Sequence, residues 1–196
     1  MRGYFQRWGT RRVARGALWL VAAGVGAATL YAALAVARGN LHTVVEGELY
    51  RSATLSGPQL EAALTDFKLR TIVNLRGAAP DKAWYREEAR LAAAHGVTLI
   101  DLSWSARREL TDAEVAEFMA RLADAPRPIL IHCRSGADRT GLAAALYLAA
   151  IKRADEETAE SQLSLRFGHI GLPFTPFYPM DETFERLEPS LGYVDS

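Results

Sequence analysis

The chain has a single cysteine and no excess charge, and both scarcities restrict what it can do. Cys133 is the only cysteine in 196 residues, which excludes an intrachain disulfide and a C-x-x-C metal site. The 23 lysines and arginines balance 23 aspartates and glutamates. A chain without net positive charge has no overall field that attracts a nucleic acid backbone, so we expect no nucleic acid partner. The one thiol is free for chemistry.

Charge is also missing from a long segment near the N-terminus. Residues 17–37 contain no charged side chain over 21 positions, and a helix of that length would be about 31 Å long, the thickness of a bilayer's hydrocarbon core. A buried core helix is the alternative, which the flanking Arg15 and Arg38 disfavour. We therefore predict a basic N-terminal segment (1–16), a transmembrane helix (17–37), a linker (38–42) and a folded domain (43–196).

The charges around this segment predict its orientation in a membrane. Five arginines precede it, namely Arg2, Arg7, Arg11, Arg12 and Arg15. Positive residues tend to stay in the cytoplasm, so we expect a cytoplasmic N-terminus and an extracytoplasmic domain, periplasmic in a Gram-negative bacterium. A cleaved signal peptide competes, because Ala35-Val36-Ala37 has the small-x-small form of a cleavage site. The apolar run is longer than the roughly 7 to 15 residues usual in signal peptides, which favours an uncleaved anchor.

From residue 43 onward, short apolar runs of strand length alternate with helical patterns. The predicted strands cover 48–52, 70–75, 97–102 and 128–131, and the predicted helices cover 59–66, 81–95, 111–123, 142–152, 154–165 and 181–187. We expect Trp84, Ala89, Leu91 and Ala92 on the core face of the second helix. The alternation predicts an α/β domain with a central, mostly parallel sheet flanked by helices. Ligands of such domains lie beyond the carboxyl ends of the strands.

Residues 132–141, His-Cys-Arg-Ser-Gly-Ala-Asp-Arg-Thr-Gly, lie between a predicted strand and a predicted helix. Backbone N–H groups of such a loop, with those of the first helical turn, can surround phosphate oxygens. Cys133 begins the loop, where this field favours the nucleophilic thiolate. Arg139 carries a planar fork of donors that suits two oxygens of one phosphoryl group. A buried, inert cysteine with Arg139 as a helix cap is the alternative, which the strand-loop-helix context disfavours.

The spacing C-x5-R, preceded by His132 and followed by Thr140-Gly141, resembles the phosphate-binding loop of cysteine-dependent protein tyrosine and dual-specificity phosphatases. Leu49–Ser52 and Thr71–Arg76 resemble earlier landmarks of bacterial dual-specificity phosphatases, so that the resemblance covers approximately residues 43–190. It implies the cysteine-phosphatase fold, a cysteinyl-phosphate intermediate, and neither a metal nor another cofactor.

By position, the resemblance implies a role for each residue of the loop. Cys133 would be the nucleophile, Arg139 would hold the phosphate, and the Thr140 hydroxyl would assist departure of the thiolate. His132 would act on Cys133 from behind without contacting substrate. The expected phosphate-binding residues are Arg134, Ser135, Gly136, Ala137, Thr140 and Gly141.

The general acid does not follow from the motif. Many members carry an aspartate on a separate loop well before the cysteine, but the corresponding loop here, 103–108, has none. Asp101 is the nearest carboxylate and lies in a predicted strand. Asp138 gives the string Asp-Arg-Thr, which resembles loops of myotubularins, Sac-type phosphoinositide phosphatases and some bacterial phosphatases of broad range. We predict Asp138 as the acid and keep Asp101 as the alternative. Asp138 could instead pair with an arginine or cap a helix.

These features together predict a membrane-anchored phosphomonoester phosphatase of the tyrosine or dual-specificity type. Its partner would be a phosphorylated protein or, alternatively, a phosphorylated membrane lipid or envelope glycolipid. The short tether, the Asp-Arg-Thr string and the outward orientation favour the lipid. A catalytically inactive phosphate-binding module is a third class of function, and the intact Cys133, Asp138 and Arg139 argue against it.

Overall fold

A five-stranded sheet lies at the centre of the computed structural model, which describes residues 37–193 and, before them, positions 18, 19, 22–24, 26, 30 and 34. The strands are β1 (His42–Val45), β2 (Leu49–Ser52), β3 (Thr71–Asn74), β4 (Thr98–Asp101) and β5 (Ile129–His132). Their order is β1-β2-β5-β3-β4. The β1–β2 pair is antiparallel and the other pairings are parallel. The predicted α/β class and mostly parallel sheet are confirmed, while β1 was not predicted.

Helices connect the strands and flank the sheet. They are α1 (Gly57–Asp66), α2 (Ala83–Ala94), α3 (Asp112–Ala123), α4 (Asp138–Leu146), α5 (Glu156–Glu160) and α6 (Pro179–Leu191). A π-helix, Tyr147–Lys152, continues α4, and a 3-10 turn, Leu165–Phe167, follows α5. Thr111 and Glu114 form the capping box that starts α3, as their spacing predicts.

Two details of the predicted helices are wrong. The predicted helix 154–165 ends at Glu160, and the carbonyl of Gln162 accepts a hydrogen bond from Arg51 rather than from a later helical turn. In α2, the buried face consists of Glu88, Leu91 and Ala92. Trp84 is only half-buried, because its ring packs under the guanidinium of Arg76, 3.6 Å away.

The central strand β5 joins two hydrophobic clusters, one on each face of the sheet. Ile129 and Ile131 pack into the cluster that includes α3, α4 and α6. Leu130 points to the opposite face, into the cluster that includes α1 and α2, as the alternation of a strand requires. All of β5 is buried. Truncating one such side chain typically costs about 2 to 5 kcal/mol, so the strand that leads into the loop contributes strongly to the stability of the domain.

The structure leaves the predicted membrane segment untested. No helix within the described residues is long and apolar enough to cross a membrane. The predicted span, 17–37, lies mostly outside those residues, and the basic segment, 1–16, lies entirely outside them. Residues 36–196 form a compact unit of their own.

Candidate active site

The loop after β5 has the strand-loop-helix arrangement that the sequence predicts. Cys133 follows β5 directly and is buried, and α4 begins at Asp138. Gly136 has φ +72°, and a Cβ there would lie 2.6 Å from the Ser52 carbonyl carbon and the Ala53 nitrogen. Glycine is therefore required at 136, both for the backbone conformation and for the close packing of the loop on the end of β2.

Carbonyl groups orient Arg139. Its Nη1 donates to the carbonyls of Leu75 (3.1 Å) and Trp104 (3.2 Å), and the ion pairs formed among the described residues do not include it. Arg139 Nε and Thr140 Oγ1 are buried without a hydrogen-bond partner in residues 37–193. The guanidinium is thus held in place by Nη1, while its buried Nε–H and the buried Thr140 hydroxyl keep unused hydrogen-bonding capacity.

Arg51, in β2, supports the loop by hydrogen bonds to its carbonyls, a role that the sequence did not reveal. Its guanidinium is fully buried and donates from Nη2 to the carbonyls of Gly136 (2.9 Å) and Ala137 (3.3 Å). It also lies 3.8 Å above the Phe167 ring. Burial lowers the pKa of Arg51 to about 9, which leaves it charged at neutral pH. The sequence did carry one signal for this role, because Arg51 is a charged residue at an inward position of the predicted strand 48–52.

A second arginine flanks the cysteine on the side of β3. Arg76 Nη1 donates to Thr54 Oγ1 (2.9 Å), which in turn donates to the Cys133 carbonyl (3.0 Å). Burial lowers the pKa of Arg76, and the positive charges of Arg139 and Arg134 lower it further. Three guanidinium groups therefore lie close enough to repel one another beside Cys133, which makes this a site for an anion.

Asp138 is the end of a buried chain of three ionisable side chains. His169 is fully buried, with Nδ1 2.9 Å from Asp138 Oδ1 and Nε2 2.8 Å from Asp181 Oδ2. Burial opposes a charge on His169, but the hydrogen bonds to the two carboxylates outweigh it and raise its pKa to about 9. His169 is then an imidazolium at neutral pH that donates to both carboxylates. The Oδ2 atom of Asp138 takes no part in these bonds.

His132 contacts another buried carboxylate. Its Nε2 lies 2.9 Å from Glu88 Oε2, and both side chains are almost completely buried. The separation is that of an ion pair, although the direction of the ring N–H does not meet hydrogen-bond geometry. Glu88 thus packs α2 against the residue that precedes the cysteine, a contact that the sequence did not indicate.

Asp101 lies at the end of β4, within the strand that the sequence predicts. Its Oδ1 accepts from Asn74 Nδ2 (2.7 Å) and its Oδ2 accepts from the Tyr85 hydroxyl (2.5 Å). The hydrogen bond to Asp101 raises the pKa of Tyr85 to about 12. Protein donors therefore occupy both carboxylate oxygens of Asp101, whereas Oδ2 of Asp138 receives no such hydrogen bond from the side chains of residues 37–193.

Asn40, in the predicted linker, is also bonded to the loop. Its buried Nδ2 donates to the carbonyls of Ser135 (3.0 Å) and Phe167 (2.9 Å). His42 Nε2 lies 2.9 Å from Asn40 Oδ1. The chain immediately after the uncharged segment is thus joined to the loop after β5 by side-chain hydrogen bonds.

The chain is similar in sequence and in fold to known phosphatases. The chain is 33% identical over 117 residues to the dual specificity protein phosphatase TpbA of Pseudomonas aeruginosa, which covers 59% of this chain and 49% of TpbA. The chain thus spans about half the length of that relative. The crystal structure of TpbA matches with a TM-score of 0.59 and 28% identity, covering 79% of this chain and 91% of that one.

Two further solved structures share the fold. A TpbA variant in complex with phosphotyrosine matches with a TM-score of 0.58 and 26% identity, over 79% of this chain and 91% of that one. The core catalytic domain of the PP-IP phosphatase SIW14 from S. cerevisiae matches with a TM-score of 0.57 and 20% identity, over 80% of this chain and 94% of that one. Residues 33–161 match the model of the tyrosine phosphatase family, and the chain therefore belongs to the tyrosine phosphatase family.

Proposed function

We propose that this chain is a membrane-anchored phosphomonoester hydrolase that removes phosphate through a phosphocysteine intermediate on Cys133. The carrying observation is the buried Cys133 at the start of a loop that Arg139 flanks, with an Nε that has no hydrogen-bond partner among residues 37–193. The similarity to TpbA, whose variant was crystallised with phosphotyrosine, supports a phosphorylated protein as substrate.

In the first step, the Cys133 thiolate attacks phosphorus and the bond to the leaving oxygen breaks. Backbone N–H groups of the loop and the guanidinium of Arg139 bind the phosphoryl oxygens and stabilise the charge that they carry in the transition state. In the form that reacts, Asp138 has taken up a proton on Oδ2, while its Oδ1 accepts from the His169 imidazolium. Asp138 gives this proton to the leaving oxygen and becomes a carboxylate beside the positive charge of His169. The products of this step are a free hydroxyl compound and phosphocysteine.

In the second step, water attacks the phosphocysteine. Asp138, now a carboxylate, takes a proton from the water as a general base. The sulfur–phosphorus bond breaks, inorganic phosphate is released, and the thiolate of Cys133 is restored. The Thr140 hydroxyl, which has no hydrogen-bond partner in residues 37–193, donates to the departing sulfur.

Substitution of Cys133 tests the nucleophile. Cys133→Ser should bind an aryl phosphate yet turn it over at less than about a thousandth of the parent rate, because a hydroxyl is a far poorer nucleophile at neutral pH. Measurable turnover above that level would remove Cys133 from its role.

The acid is tested with two substrates of different leaving group. Asp138→Asn should slow an alkyl phosphate by about 100- to 10,000-fold, the range that general acid catalysis contributes. It should slow the first step of nitrophenyl phosphate hydrolysis much less, because nitrophenolate needs little protonation. Asp101→Asn is the matched control and should be mild with both substrates. The opposite pattern would assign the acid to Asp101.

The anchor and its orientation are part of the same proposal. The uncharged segment 17–37 and the five arginines before it support a single span with the domain outside the cytoplasm. Reporter fusions at the C-terminus should be active only outside the cytoplasm, and a reporter signal confined to the cytoplasm would overturn this orientation.

A further inference from the structure

Exposed apolar side chains are concentrated in one segment of the domain. Within residues 37–193, the large apolar residues that are exposed all lie between 165 and 174. They are Leu165, Ile170, Leu172 and Phe174, with 67%, 47%, 44% and 83% of their surface accessible. Single exposed apolar residues are ordinary, whereas a contiguous group marks an interaction surface. We name residues 165–174 the apolar loop.

The base of the apolar loop is bonded to the active site. Phe167 is buried against the Arg51 guanidinium, and its carbonyl accepts from Asn40. His169 is buried against Asp138. The exposed side chains of the loop thus stand on the same edge of the sheet as Cys133, at the carboxyl ends of the parallel strands.

The path of the chain indicates what covers this surface. Asn40, which bonds to the first part of the apolar loop, lies three residues after Ala37, where the uncharged segment ends. Three extended residues span at most about 11 Å. Arg38 and Arg134 are exposed beside this connection, and cations near a membrane surface are attracted to anionic headgroups. A bilayer that held residues 17–37 would therefore end within about 11 Å of Asn40 along the chain, and Asn40 is bonded to the base of the apolar loop.

We propose that the apolar loop docks on the surface of the bilayer and inserts Phe174 among the lipids. This inference rests on the anchor in the proposed function and extends it, because the loop is a second membrane contact that orients the site. Aromatic and aliphatic side chains are typical of segments that lie at the boundary between headgroups and acyl chains. Cys133 then faces substrates that are presented at the membrane surface.

A fluorescence experiment on the full chain tests the docking. Cys133→Ser removes the only thiol, and a single cysteine is then introduced by Phe174→Cys and labelled with an environment-sensitive dye. The chain is reconstituted in vesicles of phosphatidylcholine and phosphatidylglycerol, with and without nitroxide-labelled lipid. Ala94→Cys in the same background is the matched control, because Ala94 is exposed at the end of α2, just before β4 begins and so at the opposite edge of the sheet.

We expect the dye at 174 to shift to shorter wavelength and to be quenched by the nitroxide lipid, and the dye at 94 to show neither change. Equal, weak quenching at both positions in vesicles that carry the chain would overturn the docking. A dye at 174 that is shielded from water yet not quenched by nitroxide lipid would also overturn it, since a protein partner or a second copy then covers the loop. A chain that fails to float with the vesicles would refute both the anchor and the docking.

Hydrolysis of a soluble aryl phosphate keeps this test separate from the phosphatase proposal. With Cys133 intact, Phe174→Asp should retain the parent rate on that substrate, which shows that the variant is folded. In the fragment that begins at residue 38, the same substitution should weaken binding to the vesicles. Unchanged binding of the Phe174→Asp fragment to vesicles would overturn the docking. Quenching at 174 in the labelled chain, together with no hydrolysis of aryl phosphate by the parent chain that keeps Cys133, would support the docking and refute the phosphatase.

Discussion

Raising the pH should remove the proton from His169 and destabilise the fold around Asp138. The two carboxylates that flank His169 outweigh its burial and raise its pKa from an ordinary value of 6.5 to about 9. A group with a raised pKa in the folded state binds its proton more tightly there than in the unfolded chain. Its contribution to stability is therefore complete below the pKa of the unfolded chain and is lost as the pH rises through the pKa of the folded state.

The size of this effect follows from the shift. Each pKa unit corresponds to about 1.4 kcal/mol, so the whole shift is on the order of 3 kcal/mol. Between about pH 7 and about pH 8.5, the linkage relation gives a loss of about 2 kcal/mol in the free energy of unfolding. The lower limit of this pH range lies above the pH at which His42 titrates, because burial and the nearby Arg51 lower the pKa of His42.

Urea unfolding of the fragment 38–196 across this pH range measures the loss. The background should be Cys133→Ser, because an unfolded cysteine titrates near pH 8.5 and would add its own slope. In Asp181→Asn, His169 loses one of its two carboxylates, and the loss of stability between the two pH values should be clearly smaller. A free energy of unfolding constant to within about 0.5 kcal/mol, or the same loss in Asp181→Asn, would refute the charged His169.

Three substitutions test how the loop is held. Arg51→Lys should lower the free energy of unfolding by about 1 to 3 kcal/mol, measured in urea, because an ammonium cannot reach all the carbonyls that the guanidinium bonds. Asn40→Ala leaves the buried carbonyls of Ser135 and Phe167 without this donor, and should cost about 1 to 3 kcal/mol and reduce kcat/KM for an aryl phosphate. A fragment that begins at His42 should show the same defect as Asn40→Ala. Gly136→Ala should abolish phosphate binding, measured by calorimetry, because its Cβ would lie 2.6 Å from backbone atoms of the β2 end.

The parts of the fold that the sequence predicts are those in which the signal is contiguous. The loop 132–141 combines its chemistry and its flanking strand and helix in one short stretch, and α3 carries its own start signal in Thr111 and Glu114. Local rules of periodicity, capping and turn formation are enough for such elements. They are also enough to place Asp101 in a strand.

Contacts between distant segments were beyond the sequence pattern. His169 pairs with Asp138 across 31 positions, in a segment whose glycines, prolines and aromatics predict only a loop. Glu88 reads as a surface residue of an amphipathic helix, yet it is buried against His132. Both depend on how α2 and the 165–178 segment pack after the sheet has formed, and neither leaves a periodic trace in the sequence.

The donors that shape the loop 132–141 come from a single stretch of the chain far from the motif. Every carbonyl of residues 133–137 accepts a hydrogen bond from a residue outside the loop. Thr54 donates to the carbonyls of Cys133 and Arg134, and Asn40 donates to that of Ser135. Arg51 donates to the carbonyls of Gly136 and Ala137. Buried carbonyls that lack donors are costly, so these bonds favour the conformation in which the carbonyls point outward. The N–H groups of the same peptides are then free to turn toward a bound phosphate. The motif supplies the reactive groups, while residues 40–54 select the loop conformation in which those groups can act together.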